Sequence, residues 1–169
     1  AGELGGLQYI YSNRLNWGRL RREESILWSF APHDIAVILR LVGVEPIRVL
    51  ATGGAWIQPD VRDVTVTHME FPGGIRAHLF VSWLHPHKEQ RLVVTGERNV
   101  LVFEDSASEP ERKLRRYSHS VDWQHHAPIA RKAPEEFLDF AKDEPLKREC
   151  EAFLNAIESR EPPRTHGES

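Results

Sequence analysis

The feature that most restricts the fold is a change of hydrophobic period at Gly43. Before it, Ile35, Ile38, Leu39 and Val42 recur at the i, i+3, i+4, i+7 spacing of one helical face, and Val37 and Leu41 widen the stripe. The spacing predicts a well-buried helix over Ser29–Gly43. Pro32 then falls in the first turn, where a missing N–H costs nothing, and Gly43 is the C-terminal stop. After Gly43 the period drops to two. Ile47–Trp56, Asp63–Phe71, Ile75–Leu84, Gln90–Thr95 and Val100–Phe103 read as strands, with Leu114–Tyr117 as an edge strand and Leu7–Leu15 as the first. Pro72-Gly73-Gly74 and Glu97-Arg98-Asn99 are links that permit only antiparallel neighbours. Residues 105–112 and 118–135 are polar and read as surface loops. A second helix is expected from Glu144 to Ser159, with Leu146, Cys150, Phe153, Leu154 and Ile157 as its apolar stripe and Pro162 and Pro163 ending it. The expected class is α+β: a mostly antiparallel sheet of about five to six strands with two main helices.

Composition narrows the function classes. A chain of 169 residues with 40 % hydrophobic and 28 % charged residues suits one globular domain, or a domain plus a short appendage. A net charge of −3 argues against a dedicated polyanion binder. The basic clusters Arg19–Arg22 and Arg112–Arg116 have no aromatic interleaving, so solvated charge is the expectation and nucleic acid is not. Cys150 is the one cysteine, so neither an intrachain disulfide nor a Cys-based zinc cage is possible. Its place in a helix stripe suggests a buried, inert thiol. The longest apolar run, Ile35–Leu39, is far short of the ~20 residues a membrane helix needs. No signal-peptide pattern is visible, and a cytoplasmic location is expected. The only methionine is Met69, so Ala1 is not an initiator and a longer parent product is expected.

Several constellations bear on chemistry. His33 at the start of the first helix has two open readings. It is either structural, or an imidazole kept neutral by the positive end of the helix dipole, as a general base requires. Asp34 is favoured in the same first turn and reads as a helix-start residue. His68 and His78 flank the Pro-Gly-Gly link. A three-residue loop pairs them directly, a two-residue loop puts them on opposite faces, and the register stays open. His85 and His87 offer two metal ligands, which do not make a site, so surface histidines are expected. His125-His126 lies in a polar loop. Trp17, Trp28, Trp56, Trp83 and Trp123 suit sugar stacking or core packing, with packing the expectation. There is no GxSxG, GxGxxG or P-loop, so nucleophilic catalysis has no support and no nucleotide-binding half is recognisable.

Five segments, in this order and spacing, carry a family resemblance. They are Gly2-Glu3-Leu4-Gly5, Leu27-Trp28-Ser29-Phe30-Ala31-Pro32-His33-Asp34, Phe71-Pro72-Gly73-Gly74, Ser82-Trp83-Leu84-His85-Pro86-His87-Lys88 and Pro162-Pro163-Arg164-Thr165-His166-Gly167. The chain resembles the C-terminal half of the Gfo/Idh/MocA oxidoreductases. Within them it is similar to the nucleotide-sugar branch, the UDP-N-acetylglucosamine and UDP-N-acetylglucosaminuronate 3-dehydrogenases. The resemblance implies that residues 1–169 form a substrate-binding and oligomerisation domain. It further implies that an N-terminal Rossmann domain binding NAD or NADP and a final helix lie outside the chain, and that one open sheet face forms a homo-oligomer. The substrate implied is a sugar or nucleotide sugar, oxidised at a hydroxyl-bearing carbon. The family's catalytic Asp-x-x-x-His maps onto Ser29 and His33, so His33 is the implied base. Ser29 departs from the pattern, since a hydroxyl cannot charge-stabilise an imidazolium as a carboxylate does. Asn13 and Arg14 match polar positions facing substrate, and Lys88 and Arg91 sit where a cation meets a diphosphate or uronate. With Ser29 and Asp34 these complete the implied substrate set. No residue of the chain is implied to bind cofactor or metal. The alternative is a non-catalytic sugar-binding or dimerisation module lacking the cofactor half.

Overall fold

A strand buries one face by alternation and a helix by a stripe, and both devices meet in the first half of the chain. The computed structural model describes residues 2–141 and 143–162. In chain order the elements are β1 (Leu7–Leu15), α1 (Ile26–Val42), β2 (Arg48–Gly54), β3 (Val64–Glu70), β4 (Arg76–Ser82), β5 (Glu89–Gly96), β6 (Val100–Glu104), β7 (Leu114–Tyr117), β8 (Ser120–Gln124), β9 (Ala127–Arg131), β10 (Glu135–Phe137) and α2 (Pro145–Ser159). They divide into two compact units, Ala1–Leu138 and Asp139–Ser169. The class is α+β with two helices, as the period change predicts.

The sheet is larger than expected. Eight strands run in the order β10-β7-β6-β5-β1-β4-β3-β2, and β8-β9 form a separate hairpin. The segment 118–135, expected as a loop, holds that hairpin and the start of β10. Its strands are exposed on both sides, so they lack the alternation that announces a strand. The turn is His125-His126, with φ of 49° and 64°. Two consecutive positive φ values match the right-handed strand twist, but Asn-Gly is the usual sequence signal for such a turn. The sheet is also mixed. β1 inserts between β5 and β4, antiparallel to the first and parallel to the second. The parallel pairing is possible because α1 lies on the long connection from β1 to β4.

Helix α1 starts at Ile26, three residues before the expected Ser29. Ile26 is fully buried and its N–H donates to the Arg62 carbonyl at 2.9 Å, which anchors the earlier start. Pro32 therefore lies inside the helix rather than in its first turn, and it cannot donate to the Trp28 carbonyl. Gly43 ends the helix as expected, with φ of 77° and its N–H on the Leu39 carbonyl at 2.8 Å. The stripe is narrower than the sequence suggests, since Val37 and Leu41 are exposed.

α1 covers one face of the central strands. Ile10, Ile38, Met69, Phe71, Ala77 and Val94 form one apolar cluster, and Ile26, Ala31, Leu79, Val81 and Trp83 form another. Trp83 is the one tryptophan in this core. Trp17, Trp28, Trp56 and Trp123 are exposed, contrary to the packing expectation. In the second unit α2 spans the expected residues, but none of them is buried. Leu146, Phe153, Leu154 and Ile157 are exposed, and so is Cys150, which overturns its reading as a buried thiol. Residues 163–167 of the last resemblance segment lie outside the described residues. No helix among those described is long and apolar enough to cross a membrane.

Candidate functional site

On α1, Ala31, Asp34 and Ile38 follow the i, i+3, i+7 stripe and all three are buried. A carboxylate thus occupies a core position, and β1 supplies its partners. The Ser12 hydroxyl donates to Asp34 Oδ1 at 2.9 Å, Arg14 Nε donates to Oδ2 at 2.6 Å, and Arg14 Nη2 donates to Oδ1 at 3.3 Å. Ser12 and Arg14 are two residues apart on β1 and so share the helix-covered face. Arg14 and Asp34 are satisfied by each other, and only part of the guanidinium reaches the surface.

His33 sits beside Asp34 in sequence but about 100° around the helix, the angle 3.6 residues per turn imposes, and it is exposed. Ser29 is one turn earlier on the same side and half-buried. The helix-start argument for His33 and Asp34 does not apply. Both lie about two turns in from Ile26, whereas the dipole field fades within the first turn.

The other candidates belong elsewhere. Asn13 precedes Arg14 and points to the opposite sheet face, where its amide donates to Glu89 Oε1 at 2.9 Å. Its cross-strand neighbour is Arg91, which pairs with Glu104 at 2.9 Å and lies 3.7 Å from Glu89. Lys88 is exposed in the link between β4 and β5. The expected set therefore divides between two faces and a loop.

The face opposite α1 carries a continuous row of directly paired residues across all eight strands: Phe137, Arg115, Val102, Val93, Tyr11, His78, His68 and Leu50. The register of the Pro-Gly-Gly link is thereby settled, and His68 faces His78 with ring centroids 6.0 Å apart. Tyr11 stacks on His78 at 5.4 Å, and the Tyr9 hydroxyl is hydrogen-bonded to His78 Nδ1. Burial first, and the neighbouring His68 second, push His78 below its ordinary imidazole value. Burial raises the Tyr9 hydroxyl, with a smaller push from Tyr11. Burial would also raise the Glu104 carboxyl, but hydrogen bonds and charge from Arg91 and Arg115 outweigh it and hold the group down. Two shallow concavities of about 350 and 310 Å³ open on this face, one around Tyr9, Arg48, His68 and Arg76, the other around Tyr11, Arg91, Arg115 and Tyr117. Neither is lined by His33. The Tyr-His row escaped the sequence reading, although the alternation of Tyr9 and Tyr11 was its signal.

The described residues do not build a dinucleotide site. Such a site needs a glycine-rich strand-to-helix turn with free N–H groups at the helix start. The link into α1, residues 16–25, has one glycine, Gly18, and the first helical N–H is already taken by Arg62. Among the described residues no group of three or more His, Cys, Asp or Glu is placed to hold a metal ion.

The fold has known relatives. UDP-N-acetylglucosamine 3-dehydrogenase from Acidithiobacillus ferrooxidans is similar at 25 % identity and a TM-score of 0.74, over 94 % of this chain and 49 % of that one. Levoglucosan dehydrogenase, solved in complex with NADH, shares the fold at 20 % identity and a TM-score of 0.65, over 94 % of this chain and 51 % of its own. Aldose-aldose oxidoreductase from Caulobacter crescentus, complexed with glycerol, does so at 16 % identity and a TM-score of 0.69, over 99 % and 50 %. The chain spans about half the length of each of these structures. No curated protein sequence matches it. Residues 1–102 match the GFO/IDH/MocA C-terminal domain, and the chain belongs to that family.

Proposed function

We propose that this chain is the substrate-facing and assembly half of an NAD(P)-dependent oxidoreductase acting on a hydroxyl of a sugar or nucleotide sugar. The observation that carries the reading is the contrast between neighbours on α1. Asp34 is buried and bonded on both oxygens, whereas His33 is exposed, on the same side as Ser29. The similarity to UDP-N-acetylglucosamine 3-dehydrogenase supports a nucleotide sugar as the substrate class. NAD(P) and the redox chemistry belong to an N-terminal half, since the residues here do not fit the cofactor. His33 takes the proton of the substrate hydroxyl. Ser29 stands one turn away and offers a neutral oxygen in place of a carboxylate, which leaves the imidazolium without a charged partner on that side. Asn13, Arg91 and Lys88 do not share that location. In this reading they serve the open face and its rim, which a second copy of the chain covers.

The test is His33→Gln in the complete protein with its N-terminal half. Loss of a positioned general base is expected to lower kcat by about 10²- to 10⁴-fold with little change in KM. A variant with wild-type kcat removes the reading. Ser29 favours one rival, a module that binds the sugar without turning it over. Binding of a nucleotide sugar by the complete protein, with no NAD or NADP reduction across a panel of such sugars, would select that rival.

A further inference from the structure

We infer that Asp34 is a positioning residue: gripped by Ser12 and Arg14, it sets the rotation of α1 that presents His33. The inference rests on the role of His33 proposed above. Asp34 lies on the stripe between two apolar clusters, with Ala31 in one, Ile38 in the other and Ile35 packed against both. Only 7 % of it is exposed. Burying an ion pair at such a place is poor use of the position for stability, because a well-packed apolar pair there is commonly neutral or better. The charge therefore calls for another explanation.

Direction supplies it. Apolar contact is nondirectional, so a helix lying on a sheet through Ile26, Ala31 and Ile38 alone tolerates small rotations and slides. A fork of two N–H donors on one carboxylate does not, because both bonds hold only in one orientation. The Ser12 hydroxyl adds a third bond from the same strand. The anchor also sits where the helix is weakest. Pro32, two residues before Asp34, deprives the Trp28 carbonyl of its helical partner, so the turn leading into His33 lacks one rung of its own ladder. Arg14, expected to meet substrate, is held on its Nε and Nη2 edge by this task.

The experiment compares wild type, Arg14→Met, and the triple variant Asp34→Leu with Arg14→Met and Ser12→Ala, all in the complete protein. Ser12→Ala is included because Asp34→Leu would strand the buried Ser12 hydroxyl; the interface then stays filled and free of unpaired polar groups, and its melting temperature is expected to stay near or above wild type. Positioning predicts that kcat falls at least tenfold in the triple variant while KM for the sugar holds. It also predicts that the His33 resonance broadens or shifts in a spectrum of histidine-labelled protein, assigned by its loss in His33→Gln. A purely structural pair would move neither at constant melting temperature, and that result overturns the inference. A raised KM with unchanged kcat in Arg14→Met overturns it too, since it makes Arg14 a substrate contact. Should the triple variant unfold, Asp34→Asn, which keeps shape and removes charge, gives the same two readouts. If His33→Gln itself leaves kcat unchanged, the function reading falls, while the resonance still decides the placement.

Discussion

The two faces of the one sheet are built on opposite principles. Under α1, side chains from β1, β3 and β4 are buried and mostly apolar, with Ser12, Thr65 and Thr67 among them, and the Asp34 carboxylate is paired there with Arg14. On the opposite face the same strands present Tyr9, Tyr11, His68 and His78, flanked by alternating charges such as Arg48, Glu70 and Arg76 on one side and Arg91, Glu104 and Arg115 on the other. Most of these are half-buried by one another rather than by a covering layer. One face thus stabilises the unit, and the other is stable enough to remain open yet aromatic enough to bury. A face rich in Tyr, His and Arg with few lysines has the composition of a protein–protein contact rather than of plain solvated surface.

The sharpest way to break this contrast is to truncate one residue on each face. Ile38→Ala removes a fully buried side chain from the helix-covered cluster. A loss of about 2–5 kcal/mol in urea unfolding is expected, because packed neighbours collapse only partly into such a cavity. An open-face truncation should cost much less, and equal losses on both faces would erase the distinction. The second test concerns assembly. Val102 lies in the row across the open face, beside Arg91 and Arg115 around one concavity. Val102→Asp puts a carboxylate among guanidiniums, which the exposed face tolerates but a second copy of the chain cannot cover cheaply. The complete protein is expected to sediment as a dimer or larger and the variant at subunit mass. An unchanged sedimentation coefficient would take the second copy off this face.

Much of the helix-covered side was legible in the sequence, because its periods are strong. The α1 stripe, the Gly43 stop and strands β1 to β6 lie within a few residues of where alternation places them. Legibility failed at the β8–β9 hairpin. β8 and β9 bury too little to alternate, and a His-His turn does not advertise itself. Pro32 misled for a local reason. Its preference for a first turn moved the expected helix start to Ser29, and that shift alone turned Asp34 from a stripe residue into a helix-start residue. The spacing Ala31, Asp34, Ile38 was present throughout, but a charge is not counted in an apolar stripe until its partners are seen. Ser12 and Arg14 are 22 and 20 residues away in sequence. Register was undetermined for a similar reason. Whether His68 meets His78 turned on one residue in a link, closed here by the Phe71 N–H on the Ile75 carbonyl at 2.9 Å. The open face offers no period at all for what covers it, and the location of Asn13 and Arg91 there could not be separated from that of Arg14 without knowing which way β1 faces.

The smallest expected effect tests the open face by proton. His78 is held below its ordinary value of 6.5 by burial first and by His68 second. The folded protein therefore binds this proton less readily than the unfolded chain does. Between the folded-state value and 6.5 the unfolded state carries more protons, so stability rises with pH in that window. The contribution is complete above 6.5 and is lost as pH falls through the folded-state value. His78→Gln removes the titration and keeps a polar group of similar reach. The urea midpoint of wild type is expected to drop more steeply than that of the variant from neutral pH towards pH 5, the two converging in slope at higher pH. Other histidines titrate in both proteins, so only the difference between them counts. If that difference is absent, or runs the other way, the imidazole is no more enclosed than a solvated one, and the Tyr-His row does not shield it as the folded structure implies.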